Sequence, residues 1–408
     1  MHRKWYRPRA VVPVIAVVAA VVVYAAVQLL RPVPAMTITA SPAPLRALPG
    51  VPPTVVWPGQ AQAAVGIPGV GMLAAHGSNQ PTAIASVTKI MTAYIVLHDH
   101  PLPTGGSGPA ITVSAADVAA YALDKSQGQS VVKVAAGEKL SELEALEAML
   151  IPSGNNIAAI LANWDAGSQT AFVAKMNAEA RALDLRQTSY ADASGFDPAT
   201  VSTASDQFRL TLLALQIPVF GQIVAMPQVA LPTAGLAYNV NNALGHDGIV
   251  GVKTGSSPQA GGCLVFSALK TVAGAQVTIV GVVLGVQATA AQPSELAGVI
   301  SASENLLNSV SADLERVQVA LPGTVLGQVH SAWTTGPAAV AASGLTVTGW
   351  PGTPVTVTVT PRSLGGTIRQ GEPVARATVT VGRDVSHIML DASRAVQPPS
   401  VHWLLTRF

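Results

Sequence analysis

The sequence predicts an α/β (α+β) unit whose sheet is assembled from distant segments, followed by a β-rich C-terminal domain. Residues 248–254, 262–269 and 275–285 are short apolar runs separated by polar turns and read as neighbouring strands. A hairpin over residues 61–66 and 70–75, turning at Ile67-Pro68-Gly69, lies far ahead of them, with helical stretches between. Beyond about Leu314 the texture is β throughout: Val355-Thr356-Val357-Thr358-Val359-Thr360 alternates strictly, as a half-buried strand does.

The elements follow in chain order. Arg3, Lys4, Arg7 and Arg9 precede an uncharged run from Ala10 to Leu30. At about 1.5 Å per helical residue this run reaches roughly 30 Å, the thickness of a bilayer core. The positive cluster places the first residues in the cytoplasm and the rest outside, and Trp5 and Tyr6 suit the interface of water and lipid. A retained anchor over residues 1–30 is the expectation. A cleaved signal peptide is its rival, although that apolar region usually spans about 7–15 residues. Residues 31–59 carry Pro32, Pro34, Pro42, Pro44, Pro49, Pro52, Pro53 and Pro58 and read as an extended, semi-rigid spacer.

Within the expected first globular unit, residues 60–313, the run 84–97 is apolar on nearly every side and predicts a helix buried all round. Residues 140–150 predict an amphipathic helix with Glu142, Glu144 and Glu147 outward, and residues 171–185 a further helix. A helix over 293–307 closes the unit. Residues 314–408, punctuated by Gly349, Pro351, Gly365, Gly366 and Gly371, predict a small β-sandwich or barrel.

Composition narrows the class. At 408 residues the chain is too long for one ordinary core. With 49% hydrophobic and 11% charged residues it is no disordered polyelectrolyte, and a formal charge of +2 without a Lys/Arg stripe implies no nucleic-acid partner. The single cysteine, Cys263, forbids an internal disulfide and, inside Cys263-Leu264-Val265-Phe266, reads as buried packing.

Three motifs stand in order: Ser86-Val87-Thr88-Lys89, Ser153-Gly154-Asn155 and Lys253-Thr254-Gly255. Two have decoys. Ser130 and Ser267 each precede a lysine by three, but on strands that offset points serine and lysine to opposite faces. Ser303-Glu304-Asn305 repeats the second pattern on an expected surface helix after the third motif, out of order. Ser86 opens the buried helix, and three residues along a helix return to the same face. Ser86 and Lys89 can then share one cavity, where burial and a second ammonium, Lys253, would lower the lysine pKa towards that of a base.

The bland readings cover the rest. His98-Asp99-His100 looks metal-like but has no evident third ligand and reads as a solvated helix end, so no metal is expected. His246-Asp247 suits a turn, Asp192 a loop, Asp206 a helix cap and Gly251 strand packing.

The ordered motifs and their flanks resemble one family. Residues 84–93, 147–158, 171–177, 192–196, 202–206 and 251–255 are similar to the serine D-alanyl-D-alanine carboxypeptidases, the low-molecular-weight penicillin-binding proteins. The resemblance covers about residues 61–307. It implies a penicillin-binding/β-lactamase-like transpeptidase fold, an antiparallel sheet with a helical subdomain, and no cofactor. It implies that Ser86 attacks the bond between two terminal D-alanines of a peptidoglycan stem peptide while Lys89 takes its proton. It further implies that Ser153 relays a proton, Asn155 orients Lys89 and the substrate, and Lys253 and Thr254 bind the terminal carboxylate. Gly255 would leave room for a substrate strand, Ser86 and Ser256 N–H groups would form the oxyanion hole, and β-lactams would inhibit. Two features depart from the family: the C-terminus, Val401 to Phe408, is short for an amphipathic anchor, and Asn156 stands where aspartate is common. A β-lactamase and a silent wall-binding homologue are the rivals. The first lacks a glutamate across residues 187–205, and the second conflicts with an intact motif set.

Overall fold

The computed structural model describes residues 11–43, 45–103, 105–290 and 292–407; the basic N-terminal cluster, Pro44 and Phe408 lie outside the described residues. The chain divides into two compact units, one of Gly50–Arg316 with Thr348–Thr353, the other of residues to Pro49, Val317–Val347 and residues from Pro354.

The first unit is built on a five-stranded antiparallel sheet in the order Ile249–Ser257, Gly261–Val272, Ala275–Val286, Gln62–Ile67, Gly71–His76. Its central strands are apolar at consecutive positions because both faces are covered. Leu264, Phe266, Ile279 and Val283 pack with Val299, Leu306 and Leu307 of the helix Glu295–Ser311. Cys263, Val265, Val280 and Val282 join a larger core with the helical insertion. Burial pushes the Cys263 thiol up to about 12, so it packs as an inert group. The strand carrying Lys253 is an edge strand, with one side free of partner strands.

The helical insertion is punctuated by the residues that punctuate helices. Ser114 and Ser141 each form a reciprocal capping box, with Asp117 and Glu144, at the heads of Ala115–Ser126 and Glu142–Leu150. Thr203, rather than Asp206, caps Ala204–Ala214; the Asp206 carboxylate instead accepts from the Gln187 N–H and the Thr188 hydroxyl. His98, Asp99 and His100 end their helix in an ion-pair cluster with Asp165 and Lys175.

Three further expectations are corrected. Glu142 does not face outward: it is 1% exposed and, among the described residues, neither carboxylate oxygen has a partner. Ser303 is likewise fully buried, because its helix packs flat on the sheet. The Pro-rich stretch is not a spacer throughout, since Thr37–Ala40 pairs with Val325–His330 as the edge of a six-stranded antiparallel sheet in the second unit. Proline and short β-formers suit such an edge, where no ladder N–H is required on the outer side.

That second unit is the expected β-rich domain. Its sheet runs Thr37–Ala40, Val325–His330, Thr335–Ala341, Asp384–Ala392, Pro373–Val381, Val355–Pro361, and Glu315–Ala320 pairs with Leu345–Gly349 as a separate ribbon. The segment 348–353 belongs with the first unit because the Trp350 ring is fully buried there and donates to the Val310 carbonyl at 2.7 Å. The helix Val11–Leu30 is long and apolar enough to cross a membrane, with valines exposed by 56–67%. At its end the Arg407 guanidinium donates to the carbonyls of Gln28 (2.7 Å), Pro32 (3.1 Å) and Arg31, satisfying groups that a helix C-terminus leaves open.

Burial without a partner raises the Glu142 carboxyl from the usual 4.5 to about 7. The folded state therefore binds this proton more tightly than the unfolded chain, and stability falls as pH rises from 4.5 to about 7. Glu142→Gln keeps the shape and removes the charge. Melting temperatures across pH should show the variant overtaking the parent above pH 7, with the two converging near pH 4. Parallel curves would exclude a buried charge as the cause.

Candidate active site

The nucleophile segment begins one turn earlier than the α-helix. Ala85–Thr88 is a 3₁₀ turn, and Lys89–Asp99 continues it as α-helix. In a 3₁₀ turn residues three apart eclipse, which sets Ser86 Oγ and Lys89 Nζ 2.7 Å apart. The turn is entered through Ala85 at φ +45°, a left-handed conformation that a non-glycine residue adopts only where packing enforces it. Ile84, Val87, Ile90 and Met91, all fully buried, supply that packing.

Lys89 is wholly buried. Its Nζ lies 2.6 Å from Asn155 Oδ1, 3.2 Å from the Ser194 carbonyl and 3.4 Å from Ser153 Oγ. Burial first, and the Lys253 charge second, hold its pKa well below the usual lysine value, with Asp192 pulling weakly the other way. Lys253 is 1% exposed and burial lowers it to about 7. Its ammonium donates to the Thr254 carbonyl at 3.0 Å.

A neutral amine has two N–H bonds and one lone pair. Asn155 Oδ1 and the Ser194 carbonyl both accept from Nζ, so a neutral Lys89 would spend its two hydrogens on them and keep its lone pair for the Ser86 hydroxyl. Such an arrangement activates a serine for nucleophilic attack.

The second motif is shaped by its backbone. Ser153 is left-handed at φ +66°, which turns its side chain into the site before Gly154 and Asn155 start the helix Asn155–Ala166. Asn156 explains its own departure from aspartate. Its Oδ1 accepts from the Val132 N–H at 2.9 Å while its Nδ2 donates to the Val132 carbonyl at 2.8 Å, and a carboxylate could make only the first bond. With the Asn155 N–H on the Ser130 carbonyl, this clamps the extended segment 130–132 against the helix.

The third motif meets the first directly. A Cβ on Gly255 would lie 2.8 Å from the Ser86 backbone nitrogen and 3.2 Å from Ala85 Cβ. The missing side chain thus admits the nucleophile's own segment. Ser86, Ser256 and Ser257 line one cleft of about 230 Å³ with Gln127, Gln129, Asn155 and Phe196. Of the decoys, Ser267 is buried in Gly261–Val272 and faces away from half-buried Lys270, whereas Ser130 lines the Ser86 cleft from a loop rather than from the expected strand, with its Lys133 exposed.

The structure therefore brings together Ser86, Lys89, Ser153 and Asn155 by direct contact, Lys253 by its charge, and Gly255 and Ser256 by the close approach of their strand. Two contributors are invisible to motif reading. The Ser194 carbonyl is a backbone atom, and Gln129 lies in a polar loop with no spacing rule linking it to Asn155. Asp192 was legible only as a loop residue. Its carboxylate accepts from the N–H groups of Ser194, Gly195 and Phe196 and from the hydroxyls of Ser194 and Thr200, which fixes the Ser194 carbonyl over Lys89.

Gly195 sits in that loop at φ +79°, where a Cβ would fall 1.8 Å from the Ala85 carbonyl oxygen. Gly195→Ala should cost about 2–4 kcal/mol in denaturant unfolding, by clash and strain together. Unchanged stability would show that the loop moves freely. Asn156→Asp should cost about 1–3 kcal/mol, because the Val132 carbonyl loses its donor and a carboxylate is buried. A neutral result there would mean that the clamp is dispensable.

Comparisons with known proteins agree with this geometry. Residues 64–288 match the peptidase family described as D-alanyl-D-alanine carboxypeptidase. The chain is 35% identical over 190 residues to a D-alanyl-D-alanine endopeptidase of Pseudomonas aeruginosa, covering 45% of this chain and 58% of that one. It is 30% identical over 227 residues to a D-alanyl-D-alanine carboxypeptidase of Streptomyces sp. strain K15, covering 52% and 75%. The crystal structure of the Streptomyces K15 DD-transpeptidase superposes with a TM-score of 0.54 at 25% identity, over 64% of this chain and all of that one. Penicillin-binding protein 5 of Haemophilus influenzae shares the fold at 20% identity, with a TM-score of 0.59 over 85% of this chain and 100% of its own. The chain spans 58% and 61% of the length of the P. aeruginosa and Escherichia coli endopeptidases. With its family match over more than half its length, its first two motifs in direct contact and this fold beneath them, the chain belongs to the D-alanyl-D-alanine carboxypeptidase family of serine peptidases.

Proposed function

We propose that the protein is a membrane-anchored, extracytoplasmic D-alanyl-D-alanine carboxypeptidase that removes the terminal D-alanine from peptidoglycan stem pentapeptides. The observation that supports this reading above others is the pairing of Ser86 with a fully buried lysine whose Nζ already has Asn155 Oδ1 and the Ser194 carbonyl as acceptors. Lys89 takes the Ser86 proton as Oγ attacks the carbonyl between the two D-alanines. The oxyanion meets the backbone N–H groups of Ser86 and Ser256, each such donor being worth about 2.7–4 kcal/mol. Ser153 passes a proton to the leaving amine, D-alanine departs, and water hydrolyses the acyl-enzyme.

Lys253 and Thr254 receive the terminal carboxylate, and the free side of their edge strand accepts the peptide as an added strand. β-Lactams acylate the same serine. The helix Val11–Leu30 serves as the anchor, with the catalytic unit outside; a signal sequence of the same composition is the rival for that helix.

A second reading has its own support. The P. aeruginosa and E. coli relatives are both D-alanyl-D-alanine endopeptidases, at 35% and 32% identity, so cleavage of cross-linked rather than terminal D-alanine fits the same machinery.

Mass spectrometry of the chain with benzylpenicillin should show one adduct, on the peptide containing Ser86. Ser86→Ala should abolish both the adduct and D-alanine release from a pentapeptide. An unlabelled protein, or label on Ser130, would sink the assignment. Cleavage of cross-linked muropeptides without D-alanine release from pentapeptide would replace carboxypeptidase by endopeptidase, and fast turnover of benzylpenicillin would mark a β-lactamase.

A further inference from the structure

Asn155 can hold Lys89 correctly only if its amide points one way, oxygen inward. A side-chain amide is nearly symmetric in shape, so packing alone does not choose between its two orientations. The choice is made outside the motif. Asn155 Nδ2 donates to Gln129 Oε1 at 2.7 Å, and Gln129 Nε2 donates in turn to Asp124 Oδ1 at 3.2 Å and to Gln127 Oε1 at 2.8 Å.

The chain ends on a group without ambiguity, because an ionised carboxylate only accepts. Asp124 therefore requires the NH₂ of Gln129 to face it, which turns Gln129 Oε1 towards Asn155. That oxygen requires the NH₂ of Asn155, and Asn155 Oδ1 is left facing Lys89 at 2.6 Å. Reversal at any member would set oxygen against oxygen or N–H against N–H.

The support is rigid. Asp124 lies on the capped helix Ala115–Ser126, and Gln129 is held by its own N–H on the Asp124 carbonyl at 3.1 Å. On its other side Gln129 is followed by the clamped segment 130–132.

We propose that Asp124 and Gln129 are positioning residues: a carboxylate-terminated amide relay fixes the orientation of Asn155 and, through it, aims the Lys89 lone pair at Ser86. The proposal rests on the peptidase reading above. A wrongly turned Asn155 would present N–H to Lys89 and compete with the Ser86 proton for its lone pair, so the loss falls on the acylation step rather than on substrate binding.

The test uses the full chain in detergent, with benzylpenicillin acylation resolved into a maximal rate and a half-saturating concentration. Gln129→Met keeps length and removes polarity. It should lower the maximal rate about tenfold at unchanged half-saturation, equivalent to weakening one aligned hydrogen bond in the transition state. Gln129→Glu should also slow acylation, because it opposes two carboxylates. Adding Asp124→Asn to it should restore most of the rate, since the new amide at position 124 then donates to the new carboxylate at 129, whose other oxygen still accepts from Asn155.

Full maximal rate in Gln129→Met, a loss confined to half-saturation, or a pair no faster than Gln129→Glu alone would each overturn the relay. A parent chain that takes no penicillin would overturn the peptidase reading itself, and the relay with it.

Discussion

Taking a lysine wholly out of water costs several kcal/mol while it stays charged, and the arrangement of the first unit follows from how that cost is met for Lys89. Burial drives the side chain towards its neutral form, and Lys253, itself 1% exposed, pushes the same way. A neutral amine still needs acceptors for its hydrogens. These come from opposite walls: Asn155 at the head of one helix and the Ser194 carbonyl in a loop tied down by Asp192. The third position is left to Ser86. Desolvation, a second lysine and two acceptors thus hold this side chain far from the state of an ordinary surface lysine.

Each wall is braced by contacts that take no part in chemistry. Asn156 holds the segment opposite the nucleophile through Val132, and Thr92 reaches the Ala193 carbonyl at 2.7 Å to hold the Asp192 loop. The sheet is covered on both faces but open at the Lys253 edge, which leaves a strand edge beside the half-buried Ser86. The left-handed backbone at Ala85 and Ser153 marks where these demands conflict with local preference, and the surrounding core absorbs the strain.

Much of this was legible in the sequence. Runs such as 262–269 and 275–285 gave the strands because a sheet buried on both faces leaves no polar alternation to misread. The S-x-x-K pair survived one decoy because three residues mean one face on a helical turn and two faces on a strand, as Ser267 and Lys270 show; Ser130 instead lies in a loop that lines the Ser86 cleft, with Lys133 exposed. What escaped depended on partners distant in the chain. Glu142 looked like one of three outward acids, and only tertiary packing shows it buried. Residues 37–40 looked like spacer because an edge strand needs few of the signals of a central one. Gln129 and the Ser194 carbonyl could not be found, since one is a loop amide and the other a main-chain atom.

Lys89 and Ser153 lie 64 residues apart in the chain, and Lys253 comes a hundred later still. Without the Lys253 strand in place, Lys89 has no second ammonium beside it. The surroundings that lower the Lys89 pKa are consequently a property of the finished sheet and of no single segment that contributes to it.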